Sequence, residues 1–250
     1  MPRIVAVANQ KGGVAKTTTV HSIGAALAAR GQRVLLIDLD PQACLTFSAG
    51  IDPDGLTRSL HDVLLQRSGL ADVMVKVGQL TIVPATIDLA GAELHLLTKT
   101  GREYALARAL ATVEDGFDVV LIDCPPSLGI LTINGLTAAG EVLIPLQCET
   151  LGHRGVGQLL ETIEDVRSFT NPSLVVRGVV ATMFDGRTKL AQQVINDVRD
   201  EYGLEVLEPP VPKSVRVAEA PGQGCSILTH APRSKGAAAY RALSQVLVPG

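Results

Sequence analysis

The chain of 250 residues contains no tryptophan, and aromatic residues make up only 3% of it. Base-stacking nucleic-acid platforms rely on aromatic side chains, so that class of binding module is disfavoured. Apolar residues nevertheless reach 46%, so the core must be built from Ala, Val, Leu and Ile. Cysteine is sparse too. The four, at positions 44, 124, 148 and 225, form no CxxC pair and have no histidine at ligand spacing. A disulfide framework, a zinc ribbon and a cluster-binding loop are poor readings, and a reducing cytosol is the simplest one. No apolar run approaches the roughly 20 residues that cross a bilayer. The opening MPRIVAVANQ runs into a strand pattern with no signal-peptide h-region. The expectation is a soluble cytoplasmic protein. Charged residues at 19% and a net charge of −3 do not describe a disordered chain.

The charge is unevenly placed. Residues 1–150 carry 11 basic and 15 acidic side chains, and residues 151–250 carry 11 and 10. From Pro209 onward, Lys213, Arg216, Arg233, Lys235 and Arg241 are set against Glu219 alone. Such a stretch permits polyanion binding, with an ordinary solvated face as the alternative.

Short β-rich runs alternate with helical patterns. Ile4–Ala8, Val34–Ile37, Thr81–Pro84, Val119–Ile122, Val142–Pro145 and Val175–Thr182 are strand candidates. Lys16–Arg30 is Ala-rich and ends at Gly31, a residue suited to close a helix. Val156, Leu159, Leu160, Ile163 and Val166 recur at helical spacing, and Ala191–Tyr202 and Lys235–Val246 read as further helices. The alternation predicts an α/β fold with a doubly wound, mostly parallel sheet and helices on both faces. Residues 1–250 are expected to form a single domain, with Leu207–Gly224 an ordered loop rich in Pro and Gly.

The decisive segment is Asn9-Gln10-Lys11-Gly12-Gly13-Val14-Ala15-Lys16-Thr17-Thr18. It follows a strand and opens a helix, the setting a phosphate-binding loop requires. Glycines let backbone N–H groups close around phosphate oxygens, and the helix N-terminus adds positive potential. Lys16 would reach the β- and γ-phosphates, and the Thr17 hydroxyl would ligate Mg²⁺. The strict GxxxxGK[ST] pattern fails twice, because Gln10 and Ala15 occupy its glycine positions.

A second lysine, Lys11, precedes Lys16 by five residues. This Lys-Gly-Gly-x-x-Lys-Thr arrangement resembles the deviant Walker A loop of the ParA/MinD family of ATPases. The resemblance continues through Val34–Gln42, which contains Ile37-Asp38-Leu39-Asp40-Pro41, and through Val119–Pro126, which contains Asp123-Cys124-Pro125-Pro126. It extends to Pro145–Glu149, Thr182–Thr188 and Val211–Pro221, and so covers nearly the whole chain. Within the family the match is to the Soj-type ParA partition ATPases, in the short form without an N-terminal DNA-binding extension.

That resemblance implies ATP and Mg²⁺ as cofactors, with Gly12, Gly13, Val14, Ala15 and Thr18 completing the phosphate cradle. Asp123 would hold the Mg²⁺ shell through water, Asp38 would do similar work beside it, and Asp40 would orient the attacking water. Lys11 would cross a homodimer interface and touch the partner's ATP phosphates. Pro212 and Ser214 would line the adenosine site, Ser214 standing where the family has Asn. Arg187, Lys189, Lys213, Arg216, Arg233 and Lys235 are candidates for nonspecific contact with double-stranded DNA, which implies nucleoid association. A ParB-like protein would stimulate hydrolysis, and no membrane is expected as a partner. Ala15 replaces a family glycine and is tolerable if its φ is negative.

Plainer readings stand beside these. Asp38 and Asp123, taken alone, read as helix N-caps, and Asp40-Pro41 as a turn. His21, His61, His95 and His230 read as structural, and Cys124 as a small buried residue. Arg154 opens a helix where an acidic residue is expected, which suits a partner or interface. Other functions compatible with the pattern are a MinD-type membrane-cycling ATPase, an orphan ParA-like cargo-positioning ATPase and a binding module in which Ala15 blocks turnover. An iron–sulfur carrier of the same fold would need paired cysteines, which are missing.

Overall fold

A computed structural model of the protein describes residues 1–149 and 154–248. Eight strands form one sheet: β1 (Arg3–Val7), β2 (Val34–Asp38), β3 (Val75–Val77), β4 (Leu80–Val83), β5 (Val119–Asp123), β6 (Glu141–Gln147), β7 (Val175–Thr182) and β8 (Val206–Leu207). Their order is β3-β4-β2-β5-β1-β6-β7-β8. Every pairing is parallel except the β3–β4 hairpin. Strands β2 and β5 are buried at every position. This is why they read as unbroken apolar runs and not as alternation.

Successive side chains point to opposite faces and feed two cores. Ala6, Leu35, Ile37, Val120, Ile122, Val142 and Ile144 meet the helices Leu89–Leu96, Ile130–Ala138, Arg154–Phe169 and Lys189–Tyr202. Val5, Val7, Leu36, Leu121, Leu143 and Val180 meet the helices Lys16–Ala28 and Lys235–Leu247. The Lys16–Ala28 helix lies close to the sheet at Gly24, where a Cβ would come within 2.6 Å of Leu36 Cδ2. Its Ala-rich sequence is what lets it approach.

The predicted strands and long helices occur where expected, Val175–Thr182 at its predicted bounds and other ends moved by at most three residues. The Lys16–Ala28 helix stops two residues before Arg30, and Gly31 closes it in the left-handed region with φ +84. Two strands escaped the pattern, β3 and β8, because three and two residues are too few to show a period. The stretch Leu207–Gly224 is not a plain loop. It holds a helix at Val215–Glu219 and a 3₁₀ turn at Ala220–Gln223.

Candidate nucleotide site

Parallel register brings the C-terminal ends of β1, β2 and β5 together, with Asp38 opposite Asp123 and Asp123 opposite Val7. Crevices at these ends are where open α/β sheets bind ligands. The loop after β1 is pinned by Asn9, whose Nδ2 donates to the Pro145 carbonyl at 2.7 Å and whose Oδ1 accepts from the Lys11 N–H at 2.9 Å. Thr182 Oγ1 donates to the Val14 carbonyl at 3.0 Å. The loop therefore hangs from two neighbouring strand ends, β6 and β7.

Lys16 is 7% exposed, and its Nζ donates to the Lys11 carbonyl at 3.3 Å. Burial lowers its pKa, and the charge of Asp123 acts in the opposite direction. The Lys11 ammonium makes no hydrogen bond or ion pair among the described residues. One loop thus carries a sequestered cation and an unpaired one.

The two strand-end aspartates differ. Asp38 is fully buried and uses both oxygens. Oδ2 accepts from Thr46 N at 2.8 Å and Thr46 Oγ1 at 2.7 Å, and Oδ1 accepts from Asp40 N at 3.2 Å. Thr46 passes the network on, accepting from Ala85 N at 2.9 Å. Asp123 is 1% exposed, and neither of its oxygens accepts a hydrogen bond of good geometry among the described residues. Burial pushes its pKa well up, the Asp38 charge adds to that, and the nearby Thr17 hydroxyl pulls back. A buried carboxylate without donors needs a partner, and a hydrated divalent cation supplies one. No cluster of three or more His, Cys, Asp or Glu side chains able to hold a metal exists among the described residues. The donor set fits Mg²⁺, which keeps several waters and takes only one or two carboxylates plus phosphate oxygens. Asp40 is 9% exposed, and its Oδ1 accepts from Gln42 N at 2.9 Å.

Ala15 has φ +66 and ψ 35. The condition for tolerating its methyl group, a negative φ, is not met, so the loop holds a strained residue where glycine would be relaxed. Ala43 (φ 52) and Met183 (φ 50) adopt the same rare region. Ala43 precedes the Cys44–Ser48 helix that carries Thr46. Met183 lines a cavity of about 260 Å³ together with Ala15, Thr18, Pro212, Lys213 and Ser214. Pro212 and Ser214, nearly two hundred residues from the loop in sequence, thus share a wall with it. Phe184 bridges to Pro212 in parallel fashion, which extends the β7 edge over the cavity. Tyr240, wholly buried at its back, shares a 3.3 Å hydrogen bond with Thr19.

The basic candidates fall into two groups. Arg187 is forked onto Asp185 at 2.9 and 2.7 Å, which drives that carboxyl down to about 2. Lys189 opens the next helix nearby, and Lys213 lies 3.5 Å from Glu149. Arg216, Arg233 and Lys235 are exposed and unpaired among the described residues. Val217 packs on Gly236, so the Arg216 helix adjoins the turn bearing Arg233 and Lys235. The side chain of Arg154 lies outside the described residues. Cys124 is fully buried as expected, whereas His230 has a partner that spacing did not reveal, Glu219 at 3.5 Å. Sequence reasoning also missed Thr46 and Tyr240, and gave Thr182 no role beyond membership of the Thr182–Thr188 block. Only the fold brings these hydroxyls to the site, and nothing in their local sequence marks them.

A family model described as an AAA domain matches residues 2–176. The chain is 44% identical over 247 residues to the sporulation initiation inhibitor protein Soj of Bacillus subtilis, covering 98% of each chain. It is also 44% identical to the chromosome partitioning protein ParA of Caulobacter vibrioides, covering 98% of this chain and 94% of that one. Among solved structures, one described as cobyrinic acid a,c-diamide synthase from Mycobacterium smegmatis, with bound ADP and magnesium, superposes with a TM-score of 0.90. The two are 56% identical, over 99% of this chain and 94% of that one.

Proposed function

Because the chain belongs to the ParA/Soj family of partitioning ATPases, we propose that its ATPase cycle operates a segregation switch. ATP closes a homodimer that binds double-stranded DNA without sequence preference, and a ParB-like partner stimulates hydrolysis and resets it. The observation that carries the reading is the lysine pair. Lys16, buried, serves the phosphates of its own subunit, and Lys11, whose ammonium has no partner among the described residues, serves those of a second. An intermolecular cation of this kind stabilises charge developing on a transferring phosphoryl group. It also makes dimerisation depend on the nucleotide.

The proposed cofactors are ATP and Mg²⁺. Magnesium supplies charge neutralisation at the β- and γ-phosphate oxygens. Thr17 and Asp123 would hold it, Asp123 through water, which gives that buried carboxylate the donors it lacks. Asp38 has no free oxygen and acts by fixing the backbone at Asp40 and Thr46. Asp40 keeps Oδ2 open among the described residues, and this atom would orient the attacking water. The backbone from Gly12 to Thr18 cradles phosphate, and Pro212 and Ser214 close over the nucleoside.

For DNA, Lys189, Arg216, Arg233 and Lys235 are the foremost contacts because no carboxylate among the described residues neutralises them. Arg187 and Lys213 join them when their carboxylate partners, Asp185 and Glu149, yield. DNA binding in turn places the protein on the nucleoid. A membrane-cycling role is disfavoured because the Lys235–Leu247 helix buries Ala237, Ala239, Tyr240, Leu243 and Leu247 in the core. No described helix is long and apolar enough to cross a membrane. An amide-forming role like that of the Mycobacterium smegmatis protein, if fed from glutamine, would need an activated thiolate. Cys124 and Cys148 are buried, which raises both thiols, Cys148 to about 11, and disfavours them for that role.

The test is steady-state ATP hydrolysis by wild type and Lys16→Ala, with and without plasmid DNA and a ParB-derived N-terminal peptide. Slow turnover that DNA and peptide stimulate together, and that Lys16→Ala abolishes, is expected. Turnover indifferent to both would point to a different cargo and refute the segregation reading.

A further inference from the structure

A second cavity, of about 350 Å³, opens between the Lys16–Ala28 helix, the β3–β4 turn and residues 224–229. It shares no lining residue with the cavity at Pro212 and Ser214. Its floor is apolar and small, with Ala25 and Ala49 where larger side chains would fill the space. Two polar side chains in its wall are more than nine-tenths buried, His21 at 6% exposure and Ser226 at 4%. Neither forms a side-chain hydrogen bond or ion pair among the described residues. Ser226 stands at the N-cap of the Ile227–His230 helix yet its hydroxyl does not cap it.

Buried polar groups in native proteins are paired with protein, water or ligand. Both open onto one concave surface of mixed character, apolar at Ala25, Ala49 and Leu228 and polar at Gln79, Thr229 and Arg241, the convergent pattern of a small-molecule pocket, and the volume lies in the range of such pockets. Arg241 is the only charged side chain in the lining, and no carboxylate opposes it there. Its Nη1 donates to the Pro232 carbonyl at 2.8 Å, which fixes the guanidinium and leaves its other donors available. Burial keeps the His21 imidazole neutral, so it offers one donor and one acceptor.

We propose that this cavity binds a small organic acid with an apolar body, its carboxylate held between Arg241, His21 and Ser226. The site stands apart from the segregation reading and requires no nucleotide.

The probe is benzoate, titrated into the full chain without nucleotide, with benzylamine as the cation of similar shape. Two signals are followed, the His21 ring NMR resonance and the alkylation rate of Cys225, a half-buried thiol in the same wall. Benzoate should move the His21 resonance saturably at millimolar concentration and slow Cys225 alkylation about fivefold, with Cys44 unaffected. Benzylamine should do neither. Ser226→Ala and Arg241→Gln should each weaken benzoate about tenfold, and His21→Phe should abolish the protection of Cys225. No saturable response up to about 50 mM would mean that only water fills the cavity, and would overturn the proposal. A response equal for benzylamine, or unchanged in Arg241→Gln and Ser226→Ala, would overturn it as well.

Discussion

Replacing Ala15 by glycine should stabilise the protein, although it removes a methyl group from a functional loop. Ala15 sits at φ +66 and ψ 35, where an L-residue is strained by about 1–2 kcal/mol and glycine is not. Glycine gives back about 0.4–1 kcal/mol through the entropy of the unfolded chain. Ala15 is also the N-cap residue of the Lys16–Ala28 helix, a position that favours glycine over alanine. The net expectation is a gain of about 1 kcal/mol, and for a chain of this size a Tm raised by about 2–4 °C. Gly13→Ala is the mirror experiment. Gly13 has φ +74 and nothing lies within 4 Å of where its Cβ would stand, so its loss of about 1 kcal/mol is conformational alone. Urea denaturation of the nucleotide-free protein measures both, with the slope m checked for constancy. An unchanged or lowered midpoint for Ala15→Gly would refute the assignment of strain to this residue.

Asp123→Asn should abolish ATP hydrolysis and remove the loss of stability that a carboxyl with a raised folded-state pKa causes as pH rises above the ordinary carboxylate range. Calorimetry across pH alongside a phosphate-release assay separates the two effects, and a pH dependence unchanged in the variant would contradict the raised pKa of Asp123. Burial lowers the His21 pKa from 6.5 to about 4. A base with a depressed folded-state pKa contributes stability that is complete above 6.5 and is lost as pH falls towards 4. The full effect is about 3 kcal/mol, and His21→Gln should flatten that part of a stability-against-pH curve. DNA affinity should fall more for Arg216→Ala than for Arg187→Ala, because Arg187 is already engaged by Asp185. Each lost phosphate contact lowers the salt slope by about 0.9, and Asp185→Asn should raise affinity by freeing the guanidinium.

Much of this architecture is legible in the residues. Val34–Asp38 and Val119–Asp123 are apolar up to their last residue because both faces of the sheet are covered, and each ends in an aspartate of the proposed site. The loop between β1 and its helix announces itself through two lysines and two glycines at close spacing. What escapes is set by tertiary contact. The distinction between Asp38 and Asp123, two residues in nearly identical local sequence, arises because Thr46 turns back onto one of them with two short hydrogen bonds, whereas among the described residues the other has only the nearby Thr17 hydroxyl, without good hydrogen-bond geometry. The backbone of Ala15 is likewise invisible in sequence. Its left-handed conformation is imposed by anchoring at Asn9 and Thr182, against the preference of alanine itself. The short strand β8 has no pattern of its own and exists because β7 offers it an edge.

The most direct measurement is the mass of the Asp40→Ala protein by sedimentation in ATP and in ADP, repeated in the Lys11→Ala, Asp40→Ala double variant. A dimer in ATP and a monomer in ADP are expected, with the double variant still binding ATP but remaining monomeric. A protein that binds ATP yet stays monomeric, or a dimer indifferent to Lys11, would contradict the nucleotide-bridged dimer on which the proposed switch depends.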